Sequence, residues 1–316
     1  MPTLAARLHR ARHGSAAIRF TNGGAARTVL RCRFTRGRSS EYTPGVVALL
    51  HVTRTPLLRT AAIRAEWVRY VGLPRAPTAE LHEPETQILL TLGGSFVYHV
   101  GRARRFVDAN RVAFVQAGQT SADSNPTGAD VSYLVLTPDP ALIGDRRLAH
   151  TAPAAAELQI AAARWVAVLR ARPAIEPLVA EEAAIRLAGA ALAGLESPEA
   201  VRPQAAARLA ERVKALLAPS GRPIGLTELA RQLAVSPAYL SDAFRQAEGV
   251  PLVRYQLRLR LVRALAELPH ADDLTALAFE LGFSSHSHFT TAFRTTMGMT
   301  PSQYRREVRT AGIQRS

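Results

Sequence analysis

Residues 226–251 read LTELARQLAVSPAYLSDAFRQAEGVP, and residues 274–301 read LTALAFELGFSSHSHFTTAFRTTMGMTP. The second stretch rewrites the first: Ala230, Ala234 and Ser236 recur as Ala278, Gly282 and Ser284, 48 residues on, and Phe244, Arg245 and Gly249 recur as Phe293, Arg294 and Gly298, 49 residues on. Two copies of one helical hairpin follow. In each, Leu226, Leu229, Ala230 and Leu233, or Leu274, Leu277, Ala278 and Leu281, share one face of a short amphipathic helix. Ala230 and Ala278 are small where a second helix must cross. Ala234 and Gly282 stand at a sharp turn, where only glycine takes a positive φ without strain. Ser236 and Ser284 are placed as N-caps of the second helices. There Leu240 with Phe244, and Phe289 with Phe293, pin one face inward and leave the other outward. An outward face of this kind enters a DNA major groove.

Between the copies, PLVRYQLRLRLVRALAEL (residues 251–268) opens with proline and stops before Pro269, with Leu252, Tyr255, Leu259, Val262, Leu265 and Leu268 at helical spacing. A helix of that length spans roughly 25 Å, enough to hold two recognition helices about one DNA turn apart.

With these features in order, residues from about 203 to 306 resemble the DNA-binding domain of the AraC/XylS regulators, most closely in GFSSHSHFTTAFRTTMGMTPSQYRR. The resemblance implies seven helices, the first over residues 203–217. It places base contacts on Ala238, Ser241 and Asp242 of the first hairpin and on His286, Ser287, His288 and Thr291 of the second, with Arg245 and Arg294 against phosphate. Asp242 and Thr291 stand where the family often has arginine. Aspartate accepts from cytosine but repels phosphate, so weak or unusual readout is expected from the first hairpin. His286 and His288, two apart on a helix, point away from each other and make a poor metal pair.

The rest of the chain fits a sensor. The formal charge is +9 over residues 1–40, −1 over 41–201 and +7 over 202–316. A basic C-terminal part on a neutral middle is the footprint of a DNA reader joined to another module. One cysteine, Cys32, excludes an intramolecular disulfide framework, and no apolar run reaches the roughly 20 residues of a membrane span. A cytoplasmic protein without a membrane partner is expected. Residues 1–40, rich in arginine and free of acids, read as a disordered arm, as a basic arm adding nonspecific DNA affinity, or as the product of a start codon placed too far upstream.

From about residue 46 to 137, short apolar runs broken by Gly93-Gly94, Gly101, Asn110 and Gly118 read as six or more strands of a sandwich or barrel. The run HEPETQILLTLGGSFVYHVGRARRFVDANRVAFVQAG resembles the cupin-like jelly roll of many AraC-type regulators. Cupin enzymes bind metal through an H-x-H motif, a glutamate and a later histidine. Here His82 and Glu85 are the remaining ligand types, Pro84 replaces the second histidine, and Ser121 falls near the last, so neither metal nor any other cofactor is expected. The barrel mouth is expected to take an unknown small-molecule effector, with His82 and Gln87 at the rim and Phe96, Tyr98, Trp67 and Tyr133 as further candidates. An aromatic at such alternating spacing is more often a core residue than a ligand contact.

Residues 154–172 and 177–195 read as alanine-rich helices; Leu178, Ile185 and Leu192 recur every seven, with Leu195 completing a seam. The seam fits a homodimer contact or a hairpin packed on the barrel. The whole reads as an α+β multidomain chain: extension 1–40, cupin-like β-barrel (jelly roll) 41–140, helical connection or dimerisation segment 141–201, and all-α domain with two helix-turn-helix motifs 202–310. The expected function is a sequence-specific regulator, not an enzyme, that binds double-stranded promoter DNA and, by the resemblance, RNA polymerase. A cupin-type metalloenzyme and a ligand-independent architectural DNA binder are the alternatives.

Overall fold

A computed structural model describes residues 7–10, 16–22, 25–31 and 49–313, apart from 79, 126, 147, 172–174, 196–203 and 219–221. Strands β1 (Arg7–Arg10), β2 (Ala16–Asn22), β3 (Ala25–Arg31), β4 (Leu49–Arg59), β5 (Ile63–Val71), β6 (Leu81–His82) and β7 (Gln87–Gly93) come first. They are followed by β8 (Phe96–Val100), β9 (Ala103–Val107), β10 (Arg111–Val115), β11 (Thr120–Ser124), β12 (Val131–Pro138), the short helix α1 (Pro140–Ile143) and β13 (Thr151–Pro153). Helices α2 (Ala156–Ala171) and α3 (Pro177–Ala193) lead to α4 (Gln204–Leu217), α5 (Leu226–Leu233), α6 (Pro237–Glu248), α7 (Leu252–Glu267), α8 (Leu274–Glu280), α9 (His286–Met297) and α10 (Pro301–Ile313). From α4 on, these are the seven helices the resemblance implies.

A nine-stranded antiparallel sheet, ordered β1-β2-β3-β4-β5-β12-β7-β10-β13, faces a four-stranded one, β6-β11-β8-β9. Side chains alternate across each strand, so Val68, Tyr70, Tyr133 and Val135 point between the sheets while Ala65, Leu134 and Leu136 point to the other face. On that outer face the large sheet carries α2 and α3 through Val166, Ala184, Leu187 and Leu192. Burial on both faces explains why β7 reads as the nearly unbroken apolar run QILLTLG.

Within residues 1–40, expected as a disordered or basic arm or as the product of a start placed too far upstream, β1 to β3 extend the large sheet from β4. The local reason lies in AAIRFTN and AARTVLR, which carry β-branched and aromatic residues on either side of Gly23-Gly24. The proposed α3 seam is divided. Ile185 and Leu192 pack toward the sheet, whereas Leu178 and Val179 in the first turn are 68% and 54% exposed.

The C-terminal helices hold two cores joined by α7. Leu252 and Tyr255 lie with α4, α5 and α6; Leu261, Ala264, Leu265 and Leu268 lie with α8, α9 and α10. Ile160 of α2 enters the second core, and Arg164 pairs with Glu307 of α10 at 3.1 Å, so α2 touches both the sheet and the second hairpin.

Candidate functional site

The two hairpins repeat hydrogen bond for hydrogen bond up to the turn. Val235 N–H donates to Ala230 O at 3.0 Å as Phe283 N–H donates to Ala278 O at 2.9 Å, and Ala234 bonds Arg231 as Gly282 bonds Phe279. Ala234 has φ +55°, alone among the described non-glycine residues in that region, and Gly282 has φ +77°. Beyond the turn the copies part by one residue. Ser236 caps α6, accepting from Tyr239 N–H at 3.2 Å, but α9 is capped by Ser285, which accepts from His288 N–H at 3.1 Å. The sequence expectation of Ser284 as cap is corrected: the second turn is one residue longer, so the 49-residue offset already holds at the cap. Ser284 instead bonds the His288 ring at Nδ1, 3.0 Å away.

Leu240, Phe244, Phe289 and Phe293 are fully buried, which fixes the opposite faces of α6 and α9 outward. Ala238, Ser241, Asp242 and Arg245 are exposed on α6, and His286, Ser287, His288, Thr291 and Arg294 on α9. Tyr239, half-exposed on α6, was not singled out from sequence, although its neighbours were. Asp242 pairs with Arg245 at 3.4 Å, so an intended phosphate contact is tied to the carboxylate beside it. The His288 ring stands edge-on to Phe283 at 5.4 Å, and together with Ser284 this holds its Nδ1 edge inward.

The sensor candidates fall into three places. Phe96, Tyr98 and Tyr133 converge between the sheets, each under 5% exposed, and Tyr133 packs at 5.7 Å against both Phe96 and Tyr70, a residue the sequence reading passed over. Near them, burial and the neighbouring Glu83 charge push the Asp123 carboxyl up to about 7. Its Oδ1 is buried without a hydrogen-bond partner. His82 and Gln87 lie apart from this group. His82 is exposed on the edge strand β6, and Gln87 donates to Glu83 at 2.9 Å. Glu85 is bonded to Arg64. Trp67 faces the other side of the sheet, because it stands across from Leu134 rather than Tyr133, and there it carries the Arg170 guanidinium 3.9 Å above its ring. Among the described residues, no three His, Cys, Asp or Glu side chains converge as metal ligands. Nor is any helix among them long and apolar enough to cross a membrane.

A polar cluster between the sheet and the C-terminal helices was invisible in the sequence. Arg111 of β10 donates to Glu248 of α6 at 3.0 Å and to Thr151 at 3.1 Å. Lys214 of α4, the single lysine of the chain, lies 3.1 Å from the other Glu248 oxygen and 2.5 Å from Glu211. Glu211 in turn accepts from the Phe106 amide, and Tyr255 of α7 donates its hydroxyl to Asp108 at 2.5 Å. Arg111, Lys214 and Glu248 are 5%, 1% and 8% exposed, so each charge depends on its partners. Burial alone would raise the Glu248 carboxyl, but the Lys214 and Arg111 charges outweigh it and hold the group below its ordinary range. Asp108 goes the other way: burial raises it despite Lys214 and the Tyr255 hydrogen bond.

Comparison with known proteins is consistent with the hairpins. Residues 229–307 match the model of a helix-turn-helix domain. Over 78 residues the chain is 40% identical to the transcriptional activator RhaS of Escherichia fergusonii, covering 24% of this chain and 28% of that protein. Over 109 residues it is 32% identical to the transcriptional activator RhaR of Klebsiella pneumoniae, covering 34% and 39%. The match thus spans well under half the length of these relatives. Among solved structures, the C-terminal domain of the response regulator yesN from Fusobacterium nucleatum is 28% identical over 30% of this chain and 95% of its own, with a TM-score of 0.29. ToxT from Vibrio cholerae is 14% identical over 77% and 97%, with a TM-score of 0.32.

Proposed function

Starting from a C-terminal helix-turn-helix domain of the AraC/XylS type, we propose that the whole chain is a one-component transcription regulator that binds promoter DNA and answers to a small molecule. The observation that carries the reading is the pair of exposed helix faces, Ala238 to Arg245 and His286 to Arg294, set by two buried cores at either end of one 16-residue helix. At 1.5 Å per residue α7 spans about 24 Å, which suits two successive major-groove segments on one side of the duplex. Base readout is proposed for Ser287, His288, His286 and Thr291 on α9, and for Ala238, Ser241 and Asp242 on α6, with Arg245 and Arg294 on phosphate. RNA polymerase and a second copy of the chain complete the proposed partners, and the cytoplasm the proposed location. The exposed Leu178 and Val179 offer the apolar face for such a second copy.

The test is binding of the purified chain to its own upstream DNA and to scrambled DNA of equal length. A clear preference for the upstream DNA, lost in Ser287→Ala with His288→Ala, is the expected result, each lost base contact costing about 1–3 kcal/mol. Equal binding to both, falling steeply with salt, would leave only phosphate attraction and the architectural alternative. Asp242→Asn is expected to tighten binding to both DNAs by several-fold, because it removes a like charge near phosphate and releases Arg245 from its ion pair. Unchanged affinity would show that α6 stays off the backbone.

A further inference from the structure

The space between the two sheets is occupied by its own side chains. Tyr70, Phe96, Tyr98 and Tyr133 are 5% exposed or less, and the Tyr133 ring is in contact with those of Tyr70 and Phe96. Two adjoining cavities lie instead outside the barrel, where the outer face of the large sheet and α2 meet α7. One, of about 540 Å³, is walled by apolar groups: Leu92 of β7, Val166 of α2, and Val262 and Leu265 of α7. The other, of about 690 Å³, is lined by six arginine and lysine side chains against three carboxylates. Trp67, Ser132, Arg170, Val262, Ala266 and His270 border both, so the two form one groove with an apolar end and a cationic end.

Two of these cations, Arg170 and Arg260, are not consumed by ion pairs among the described residues. Arg69 has Asp130 at 2.6 Å, Arg263 has Glu267 at 2.6 Å, and Lys214 has Glu211 and Glu248. Arg170 has no carboxylate among the described residues. It lies over the Trp67 ring at the junction of the two cavities, with a like charge, Arg69, close by. Arg260 also lacks a carboxylate: it bonds the Gly282 carbonyl, stacks on Phe283 at 4.4 Å, and keeps a buried Nε without a partner. Partial burial lowers both guanidinium pKa values from their ordinary range, with the Arg69 charge adding to the effect at Arg170, which stays exposed on the groove while Arg260 is half-buried. An accessible guanidinium without a carboxylate partner, beside an apolar cleft, is suited to a carboxylate or phosphate head with a hydrocarbon body.

We propose that this groove binds an amphipathic organic anion, its head at Arg170 and the cations beyond it and its apolar body between Val166 of α2 and Leu265 of α7. The proposal rests on the regulator reading and gives its effector a chemical class and a place. Because one wall is sheet and α2 and the other is the helix that joins the two hairpins, a ligand seated there favours one arrangement of the sensor against the DNA-reading helices. Only such a difference in affinity between arrangements can switch a regulator.

The two tryptophans of the chain, Trp67 on the groove and Trp165 on α2, give the measurement its signal. The full chain is titrated with sodium octanoate, octyl phosphate and octanol, followed by tryptophan fluorescence and by calorimetry. Saturable binding of the two anions with octanol at least tenfold weaker is expected. Tighter binding of octyl phosphate than of octanoate assigns a phosphate head, and the reverse a carboxylate. Arg170→Gln should lower anion affinity tenfold or more, and Ala266→Phe, which fills the groove from an exposed position on α7, should abolish it. Arg186→Gln, on the exposed face of α3, should change nothing. Octanol binding as well as octanoate, or wild-type anion affinity in both groove variants, overturns the proposal. Binding to upstream and scrambled DNA is measured on the same samples. Sequence-specific DNA binding without anion binding overturns this inference alone, whereas anion binding without DNA specificity overturns the regulator reading and leaves the groove.

Discussion

Glu248→Gln is expected to destabilise the protein by about 3–5 kcal/mol, because it leaves two buried cations without their shared carboxylate. Arg111 and Lys214 both reach Glu248, from β10 and α4, and both are nearly inaccessible to water. Glutamine keeps the shape and one hydrogen-bond acceptor but not the charge, so Arg111 would retain only Thr151 and Lys214 only Glu211. Urea unfolding reads the loss, and hydrogen exchange at the Phe106 amide, which donates to Glu211, reads whether α4 has come away from the sheet. A triple variant, Arg111→Met with Lys214→Met and Glu248→Leu, should recover most of the stability, since removing a whole buried charge cluster is often neutral. A loss under 1 kcal/mol in Glu248→Gln would mean that the cluster is hydrated and does not hold the helices to the sheet. The same contact predicts acid sensitivity. The folded-state pKa of Glu248 is depressed, so its contribution is present above the ordinary glutamate value of 4.5 and is lost as the pH falls through the lower folded value. Asp108 titrates with the opposite sign, its raised pKa costing stability as the pH rises past the ordinary aspartate value of 3.8. Glu248→Gln should therefore flatten the acid limb of the stability curve and leave the Asp108 limb.

How these features were distributed in the sequence follows from how local each one is. The hairpins were legible because helix period, turn and cap all lie within 25 or so residues and occur twice. Even the misplaced cap was recoverable: the offset changes from 48 to 49 between Ala234 and Phe244, and a cap belongs to the helix that follows it. Strand alternation gave the two faces of each strand but not which face meets which neighbour. Trp67 and Tyr133 were therefore grouped as barrel candidates, although β5 and β12 pair Trp67 with Leu134 and send the two rings to opposite sides of the sheet. The interdomain cluster left almost no trace. A buried Arg111 or Glu248 is written with the same letters as a solvated one, and its partners come from four separate elements. The one available signal was Lys214, a lone lysine in a chain that otherwise uses arginine, sitting on the inner side of an amphipathic helix.

Gly282→Ala is expected to destabilise the C-terminal helices by about 2–5 kcal/mol and to abolish specific DNA binding, for two additive reasons. An L side chain at φ +77° costs about 1–2 kcal/mol by itself. The new Cβ would also stand 2.5 Å from Cδ of Pro223 and 3.7 Å from the Arg222 backbone, so the turn of the second hairpin and the loop leading into the first must move apart, costing about 1–3 kcal/mol more. Arg260 of α7 donates to the Gly282 carbonyl at 3.0 Å, which carries the displacement to the helix that spaces the two reading faces. Ala234 provides the internal control. It occupies the equivalent turn at φ +55°, is exposed, and makes the same hydrogen bonds, so Ala234→Gly relieves the strain without opening a void. It should raise stability by roughly 1 kcal/mol, or about 2–4 °C in Tm for a chain of this size. Thermal unfolding of the two variants, with DNA anisotropy on the same samples, separates the terms. If Gly282→Ala cost no more than Ala234→Gly gains, the Pro223 contact would yield freely and the backbone conformation alone would account for the glycine. A much larger loss, with specificity gone while nonspecific binding persists, is what a turn that sets the spacing of two recognition helices requires.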